Sequence, residues 1–223
     1  MTTEINERLA QTLSFVPDHR YEVVLVGLSS DASSDVIERI RVLIDSETEV
    51  TTQTWFEVQA QPNGEFARPD YYGVLEHSAP REPYVVSLLA DDYLENFNLL
   101  TSAFFQVSEP TTVPLREDKC YEFFAAWLNQ SKETLLQTFF AESQPIKEQY
   151  GRPEPLLLVQ LAPVLTNYTA DQSFHPSLGG IVEWDDHKDV EVLLSNEAFM
   201  AKAAPLFAEA VHRIEMVLGK IVV

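Results

Sequence analysis

Residues 21–28 read YEVVLVGL, a nearly continuous apolar run that is rich in valine. Such a run is typical of a β-strand that is buried on both faces. The segment that follows is typical of an amphipathic helix, because five apolar side chains within residues 36–44 fall on one stripe and Asp35 with Glu38 can cap its start. The two segments together predict a sheet with a helix packed against it.

The chain on both sides of this pair alternates between strand and helix patterns. Four further strands are predicted from apolar or alternating runs, at residues 48–60, 66–75, 84–89 and 156–161. The first two of these form a hairpin around the turn at 62–64. Helices are predicted at residues 3–15 and 92–104, where apolar side chains recur at helical spacing.

The second half of the chain is expected to contain the longest helices. A central helix is predicted over about 116–141, and a C-terminal helix over about 196–218 with a kink at Pro205. No internal repeat is evident. The predicted fold class is α+β, with a mixed or mainly antiparallel sheet packed by several helices. We expect a single domain over residues 1–223, with 108–115 as the place where it would divide.

The charge balance is strongly acidic, with 35 Asp and Glu against 15 Lys and Arg and a net charge of −20. Many carboxylates therefore have no basic partner within the chain. Binding to nucleic acid or to an anionic membrane surface is disfavoured, because both depend on Lys and Arg. A basic protein partner is expected instead, since opposite charge would steer it to this surface. The alternative is that the charge serves solubility only.

The compartment is expected to be the cytoplasm. Cys120 is the single cysteine, so the chain can form no intramolecular disulfide. The first ten residues, MTTEINERLA, do not resemble a signal peptide. No apolar run approaches the roughly 20 residues that span a bilayer.

The usual sequence signatures of a catalytic site do not occur in the chain. It contains neither G-x-S-x-G nor H-E-x-x-H, and its seven glycines are too scattered for a phosphate-binding loop. Cys120 follows two acidic residues closely, which indicates a packed small side chain rather than a reactive thiol. We therefore predict no catalytic residue and no cofactor, apart from the metal considered next.

One acidic stretch, EWDDHKDVE at residues 183–191, differs from the rest of the chain. We interpret it as a β-hairpin in which Trp184 pairs with Val190 and Glu183 faces Glu191. Like charges in that position are destabilising unless water screens them or a cation lies between them. The candidate residues for binding a partner or a divalent metal are Glu183, Asp185, Asp186, His187, Asp189 and Glu191. A solvated acidic turn is the alternative.

Three functions are compatible with these features. The first is a non-catalytic acidic interaction protein that binds a basic protein partner, in an inhibitor or immunity-type role. The second is a metal-dependent hydrolase that uses the 183–191 hairpin, together with His175. The third is a structural scaffold or a subunit of a homo-oligomer.

Overall fold

The computed structural model describes residues 9–33, 35–47, 50–77, 89, 94–129, 131–149, 155–163 and 176–222. Its elements form two successive units. The first unit contains β2 (Arg20–Leu28), α1 (Val36–Glu47), β3 (Val50–Asn63), β4 (Tyr71–His77) and β5 (Phe97–Phe105). The second unit contains β7 (Cys120–Leu128), α2 (Glu133–Lys147), β8 (Leu157–Gln160), β10 (Leu178–Trp184), α3 (His187–Leu194), α4 (Glu197–Lys202), α5 (Ala204–Ala210) and β11 (Val211–Ile221). The remaining strands are β1 (Leu9–Phe15), β6 (Thr111–Arg116) and β9 (Ala162–Pro163).

The strands of both units belong to one antiparallel sheet in the order β8-β10-β7-β11-β3-β4-β2-β5-β9. The two ends of this order, β8 and β9, are separated along the chain by Leu161 alone. The sheet therefore closes on itself as a barrel. The strands β1 and β6 pair antiparallel with each other as a separate two-stranded ribbon.

The two units repeat the same topology. In each unit the strands lie side by side in the order second, third, first, fourth, which is β3-β4-β2-β5 in the first unit and β8-β10-β7-β11 in the second. A short strand precedes each unit, β1 before the first and β6 before the second. The expectation of no internal repeat is therefore wrong, because the repeat lies in the strand order and in a few residues rather than in extended sequence identity.

The described residues form three apolar clusters. The barrel interior is filled by large side chains from strands of both units, and Phe15 of β1 and Leu115 of β6 pack against them. Outside the barrel, α1 covers the sheet of the first unit. The helices α2 to α5 cover the sheet of the second unit. The candidate functional site lies between the sheet of the second unit and these helices, where side chains from both meet.

The predicted central helix over 116–141 is wrong. These residues form the end of β6, the whole of β7 and the first part of α2. The β7 segment reads CYEFFAAWL and is buried along nearly its whole length. A run that is apolar on both faces satisfies a helical stripe and a buried strand equally well, so periodicity alone cannot distinguish them.

The predicted C-terminal helix over 196–218 is also wrong. It is replaced by α4, by α5, which begins beside Pro205, and by the strand β11. The helix predicted over 92–104 is replaced from Phe97 onward by β5. The helix predicted over 3–15 is a strand from Leu9, and residues 3–8 lie outside the described part of the chain.

Other predictions agree with the structure. The α+β assignment is confirmed, and so are the buried strand at 21–28, the helix after it and the hairpin formed by β3 and β4. The strand predicted at 84–89 lies outside the described residues, apart from Leu89. The division into domains stays a prediction. Among the described helices, none has the length and apolar character needed to cross a membrane.

Candidate functional site

Two Tyr-Glu pairs occupy matching positions in the two units. Tyr21 and Glu22 lie near the start of β2, and Tyr121 and Glu122 lie near the start of β7. Both tyrosines belong to the cluster in the barrel interior. Because side chains alternate along a strand, both glutamates point to the outer face, which the helices cover. Their side chains are nevertheless buried, with exposed fractions of 0% for Glu22 and 5% for Glu122.

The tyrosines make the same contact in both units. The hydroxyl of Tyr21 accepts a hydrogen bond from the backbone N–H of Val16 at 2.7 Å. The hydroxyl of Tyr121 accepts one from the backbone N–H of Arg116 at 2.6 Å. In each unit the donor lies five residues before the tyrosine, so the two units share this contact as well as their topology.

A ring nitrogen contacts each buried glutamate. The indole Nε1–H of Trp184, the last residue of β10, donates to Oε2 of Glu122 at 2.7 Å. In the first unit, Nε2 of His77, the last residue of β4, lies 3.0 Å from Oε2 of Glu22. The hydroxyl of Ser102 also donates to Oε1 of Glu22 at 2.6 Å. Both carboxylate oxygens of Glu22 therefore have partners, and the first unit is closed around them.

The second unit contains a cavity at the corresponding place. The cavity has a volume of about 250 Å³ and lies between the outer face of the sheet and helices α2 to α5. Its wall is mainly apolar, with aromatic rings from Phe124, Phe139, Phe140, Trp184, Phe199 and Phe207. Met200 and Leu194, which are 50% and 37% exposed, lie where the lining meets solvent.

Two charged side chains, Glu122 and Lys147, lie among the described lining residues of this cavity. Lys147 is the last residue of α2 and is 8% exposed. Its Nζ lies 5.2 Å from the centre of the Phe139 ring and 5.9 Å from that of Phe140. Within the described part of the chain, Nζ has neither a hydrogen bond nor an ion pair closer than 4 Å.

The protonation of these two groups is governed by burial. Burial raises the pKa of Glu122, against the opposing effects of Lys147 and of the Trp184 N–H. Burial lowers the pKa of Lys147, against the opposing effect of Glu122. The two pKa values thus move toward each other, because burial disfavours the charged form of each group while the opposite charge of the other favours it. With one proton between the two groups, the pair is neutral overall whichever group carries it.

This arrangement can accept a proton from a bound molecule. After it does so, both members carry protons and the pair has a net charge of +1, next to the newly formed anion. The aromatic rings beside Nζ favour the ammonium form through cation–π attraction. An acid–base pair in an apolar cavity with shifted pKa values is a common feature of catalytic sites.

The acidic hairpin predicted at 183–191 does not exist. Residues up to Trp184 belong to β10, and α3 begins at His187. Glu183 lies opposite Tyr121 in the sheet rather than opposite Glu191. Its carboxylate oxygens contact Nη1 of Arg116 at 2.8 and 3.0 Å and the Tyr121 hydroxyl at 3.1 Å. Glu183 is therefore a buried structural anion.

The other predicted site residues surround the start of α3. Asp185 pairs with Nζ of Lys119 at 2.7 Å and is 65% exposed. Asp186 is the N-cap of α3, where its side chain accepts from the backbone N–H of Lys188 and thereby lowers its own pKa. Asp189 completes this capping box by accepting from the backbone N–H of Asp186 at 2.9 Å.

The last two candidates do not create a metal site either. His187 Nδ1 lies 3.2 Å from Oδ1 of Asp186, and Glu191 lies on the exposed side of α3. The described residues contain no group of three or more His, Cys, Asp or Glu that could hold a metal ion. His175 lies outside the described residues. The acidic stretch is thus a strand end followed by a capped helix start.

The analysis of the sequence missed Glu122 and Lys147. Both were hidden by the wrong helix boundaries, since Glu122 fell on the polar side of a helix that does not form. Two signals were present. The dipeptide Tyr-Glu occurs at the start of apolar runs at 21–22 and 121–122, and YYGVLEH at 71–77 shares its pattern of glycine, two aliphatic residues and glutamate with LGGIVEW at 178–184.

Comparison with family models and with curated proteins gives no match. Among solved structures, an anthrone oxidase-like protein is similar, with a TM-score of 0.58, 11% identity, and coverage of 96% of this chain and 95% of that chain. A chlorite dismutase-like protein has a TM-score of 0.51, 8% identity, and coverage of 93% and 96%. At these identities the likeness concerns the fold.

The prediction of a non-catalytic acidic interaction protein is wrong, and so are its hydrolase and scaffold alternatives. The hairpin on which the hydrolase alternative depended does not form, and its carboxylates are used in an ion pair and a helix cap. The chain instead has the fold found in an anthrone oxidase-like and a chlorite dismutase-like protein.

Proposed function

We propose that this chain is an enzyme that removes a proton from a small, flat aromatic compound, as the first step in the oxidation of that compound by O₂. The observation that carries the proposal is the buried pair of Glu122 and Lys147 in an otherwise mainly apolar cavity. The similarity in fold to an anthrone oxidase-like protein supports the same class of reaction.

The size and lining of the cavity support an aromatic substrate. An engineered cavity of about 150 Å³ in another protein binds benzene. The cavity of about 250 Å³ here has room for two or three fused rings. Rings such as those of Phe139, Phe199 and Phe207 favour a flat ligand, because offset or edge-to-face packing stabilises aromatic pairs.

The proposed reaction balances without a further reductant. For a CH₂ group between two aromatic rings, the overall change is CH₂ + O₂ → C=O + H₂O. Glu122 and Lys147 accept the first proton, and the electron pair of the broken C–H bond stays on the substrate carbanion. The carbanion is then oxidised by O₂, of which one atom enters the carbonyl group and the other leaves as water, with the proton that the pair returns and the second hydrogen of the CH₂ group. The positive charge on the protonated pair stabilises the anion.

The described lining does not fit a haem group. Haem iron is usually held by His, Cys, Tyr or Met. The described lining residues contain no His, Cys or Tyr, and of its two methionines Met200 lies at the exposed edge. We therefore assign proton removal to the side chains of Glu122 and Lys147.

The proposal is tested by measuring O₂ consumption and quinone formation with anthrone as the substrate. The expected result is turnover by the wild-type protein and a loss of about 100-fold or more in kcat/KM for Glu122→Gln, because a general base contributes that much or more. The matched control is Glu22→Gln, the equivalent residue of the closed unit, which should keep the activity. Absence of turnover, or equal losses in the two variants, would contradict the proposal.

A further inference from the structure

We propose that Oε1 of Glu122 is the atom that receives the ligand, that Met216 keeps this oxygen available, and that the cavity therefore favours, among flat aromatic ligands, those that carry an O–H donor of the phenol or enol type. One ligand binds per chain, in the second unit. The inference rests on the proposed function for the location of the ligand, and it adds the chemical class and the residue that selects it.

In the first unit, both carboxylate oxygens of the equivalent glutamate, Glu22, have hydrogen-bond partners. Oε2 of Glu22 is contacted by His77, and Oε1 accepts the hydroxyl of Ser102. Glu22 is completely buried. Because both oxygens of this buried carboxylate already have partners, a ligand is not needed to satisfy them.

The second unit lacks one of these two donors. Oε2 of Glu122 receives the indole N–H of Trp184 at 2.7 Å. Among the described residues, Oε1 has no hydrogen-bond donor, although the side chain is only 5% exposed. A buried carboxylate oxygen without a donor is costly, so the empty acceptor position favours any ligand that supplies an O–H.

The register of the strands explains why Glu122 lacks the second donor. In the first unit Ser102 lies opposite Val24, two residues after Glu22. In the second unit Met216 lies opposite Phe124, two residues after Glu122. Met216 therefore occupies the position of Ser102, lines the cavity, and offers a thioether that cannot donate a hydrogen bond. The exchange of serine for methionine leaves Oε1 of Glu122, a residue that lines the cavity, without the donor that Ser102 provides to Glu22.

A pair of substitutions separates this role from simple packing. Met216→Ser restores the hydroxyl of the closed unit, whereas Met216→Ala removes the same side chain without adding a donor. The probes are 2-naphthol and naphthalene, which have the same ring system and differ by the O–H group. Dissociation constants are measured by titration of the folded protein, and circular dichroism verifies that each variant is folded.

The wild-type protein should bind one 2-naphthol per chain, at least about tenfold more tightly than naphthalene, because a hydrogen bond to a charged group contributes that much. Met216→Ser should lose about tenfold in affinity for 2-naphthol relative to Met216→Ala, with equal affinities for naphthalene. Equal binding of the two probes by the wild type, or equal behaviour of the two variants, would overturn the inference.

The outcomes also separate this inference from the proposed function. The expected binding pattern without O₂ consumption on anthrone would contradict the oxidase proposal and leave the inference standing. Turnover of anthrone with equal affinities for the two probes would contradict the inference and leave the oxidase proposal standing.

Discussion

The indole of Trp184 donates a hydrogen bond to Glu122 across 2.7 Å inside an aromatic cavity. This contact favours the ionised carboxylate and opposes the effect of burial, which raises its pKa. Trp184→Phe removes the donor and keeps most of the ring volume. The pKa of Glu122 should therefore rise further, and the acidic limb of the pH profile of kcat/KM should move to higher pH.

The control for this change is Trp55→Phe. Trp55 is a buried tryptophan of the first unit whose indole donates to Gln53 at 2.7 Å. Its substitution should leave the midpoint of the pH profile unchanged. A midpoint that is the same in Trp184→Phe and in the wild-type protein would show that the indole does not control the carboxylate.

Replacement of Lys147 by methionine tests the second member of the pair. Lys147→Met keeps the length of the side chain but removes the amine that opposes the raised pKa of Glu122. We expect kcat/KM to fall by about tenfold or more, and the double variant with Glu122→Gln to be no worse than Glu122→Gln alone, because residues that act as a unit are not additive.

Lys132→Met is the matched control, since Lys132 precedes the same helix, is 40% exposed and pairs with Glu209. It should keep wild-type activity. Strictly additive losses for Glu122→Gln and Lys147→Met would mean that the two groups work separately.

Glu183 and Asp185 should differ sharply in their effect on stability. Removing one partner of a buried ion pair costs about 3–5 kcal/mol, so Glu183→Ala should lower the free energy of unfolding by up to that order, because it leaves the partly buried Arg116 guanidinium without this carboxylate. Asp185→Ala removes an exposed partner of Lys119 and should cost about 1 kcal/mol or less. Urea denaturation of both variants checks this, and similar values would contradict the assignment of Glu183 as a buried structural anion.

Cys120 should be inert in the folded protein. It is completely buried, and burial raises the pKa of its thiol to about 12. The reactive thiolate is therefore negligible at pH 8, and reaction with a thiol reagent should proceed only as fast as the protein opens. Because Cys120 is the single cysteine, the labelling rate measures opening of this strand directly. Rapid labelling under native conditions would contradict this burial.

The sequence allowed a correct prediction where the apolar pattern was compatible with only one type of secondary structure. The valine-rich run at 21–28 and the capped stripe of α1 could be interpreted without tertiary information. The run at 120–128 could not, because both of its faces are buried by different layers, with Tyr121 inside the barrel and Phe124 under the helices. The neighbours that decide between helix and strand are distant in sequence.

The candidate site was missed for a related reason. Glu122 stands within the apolar run CYEFFAAWL, and a carboxylate that must be buried with such neighbours needs compensation. The compensation comes from Trp184 and Lys147, which are 62 and 25 residues away along the chain. The acidic stretch at 183–191 attracted attention because its charges are adjacent in sequence, whereas its capping box shows that most of them serve local structure. The expectation of a basic protein partner stays a prediction.

The difference between Ser102 and Met216 has a consequence for how such a site can arise. In an assembly of two identical chains around a twofold axis, any substitution appears in both halves at once. Here the two halves are covalently joined, so each position can change alone. One half could therefore become a rigid, fully bonded support while the other gave up a hydrogen bond and gained a place for a ligand.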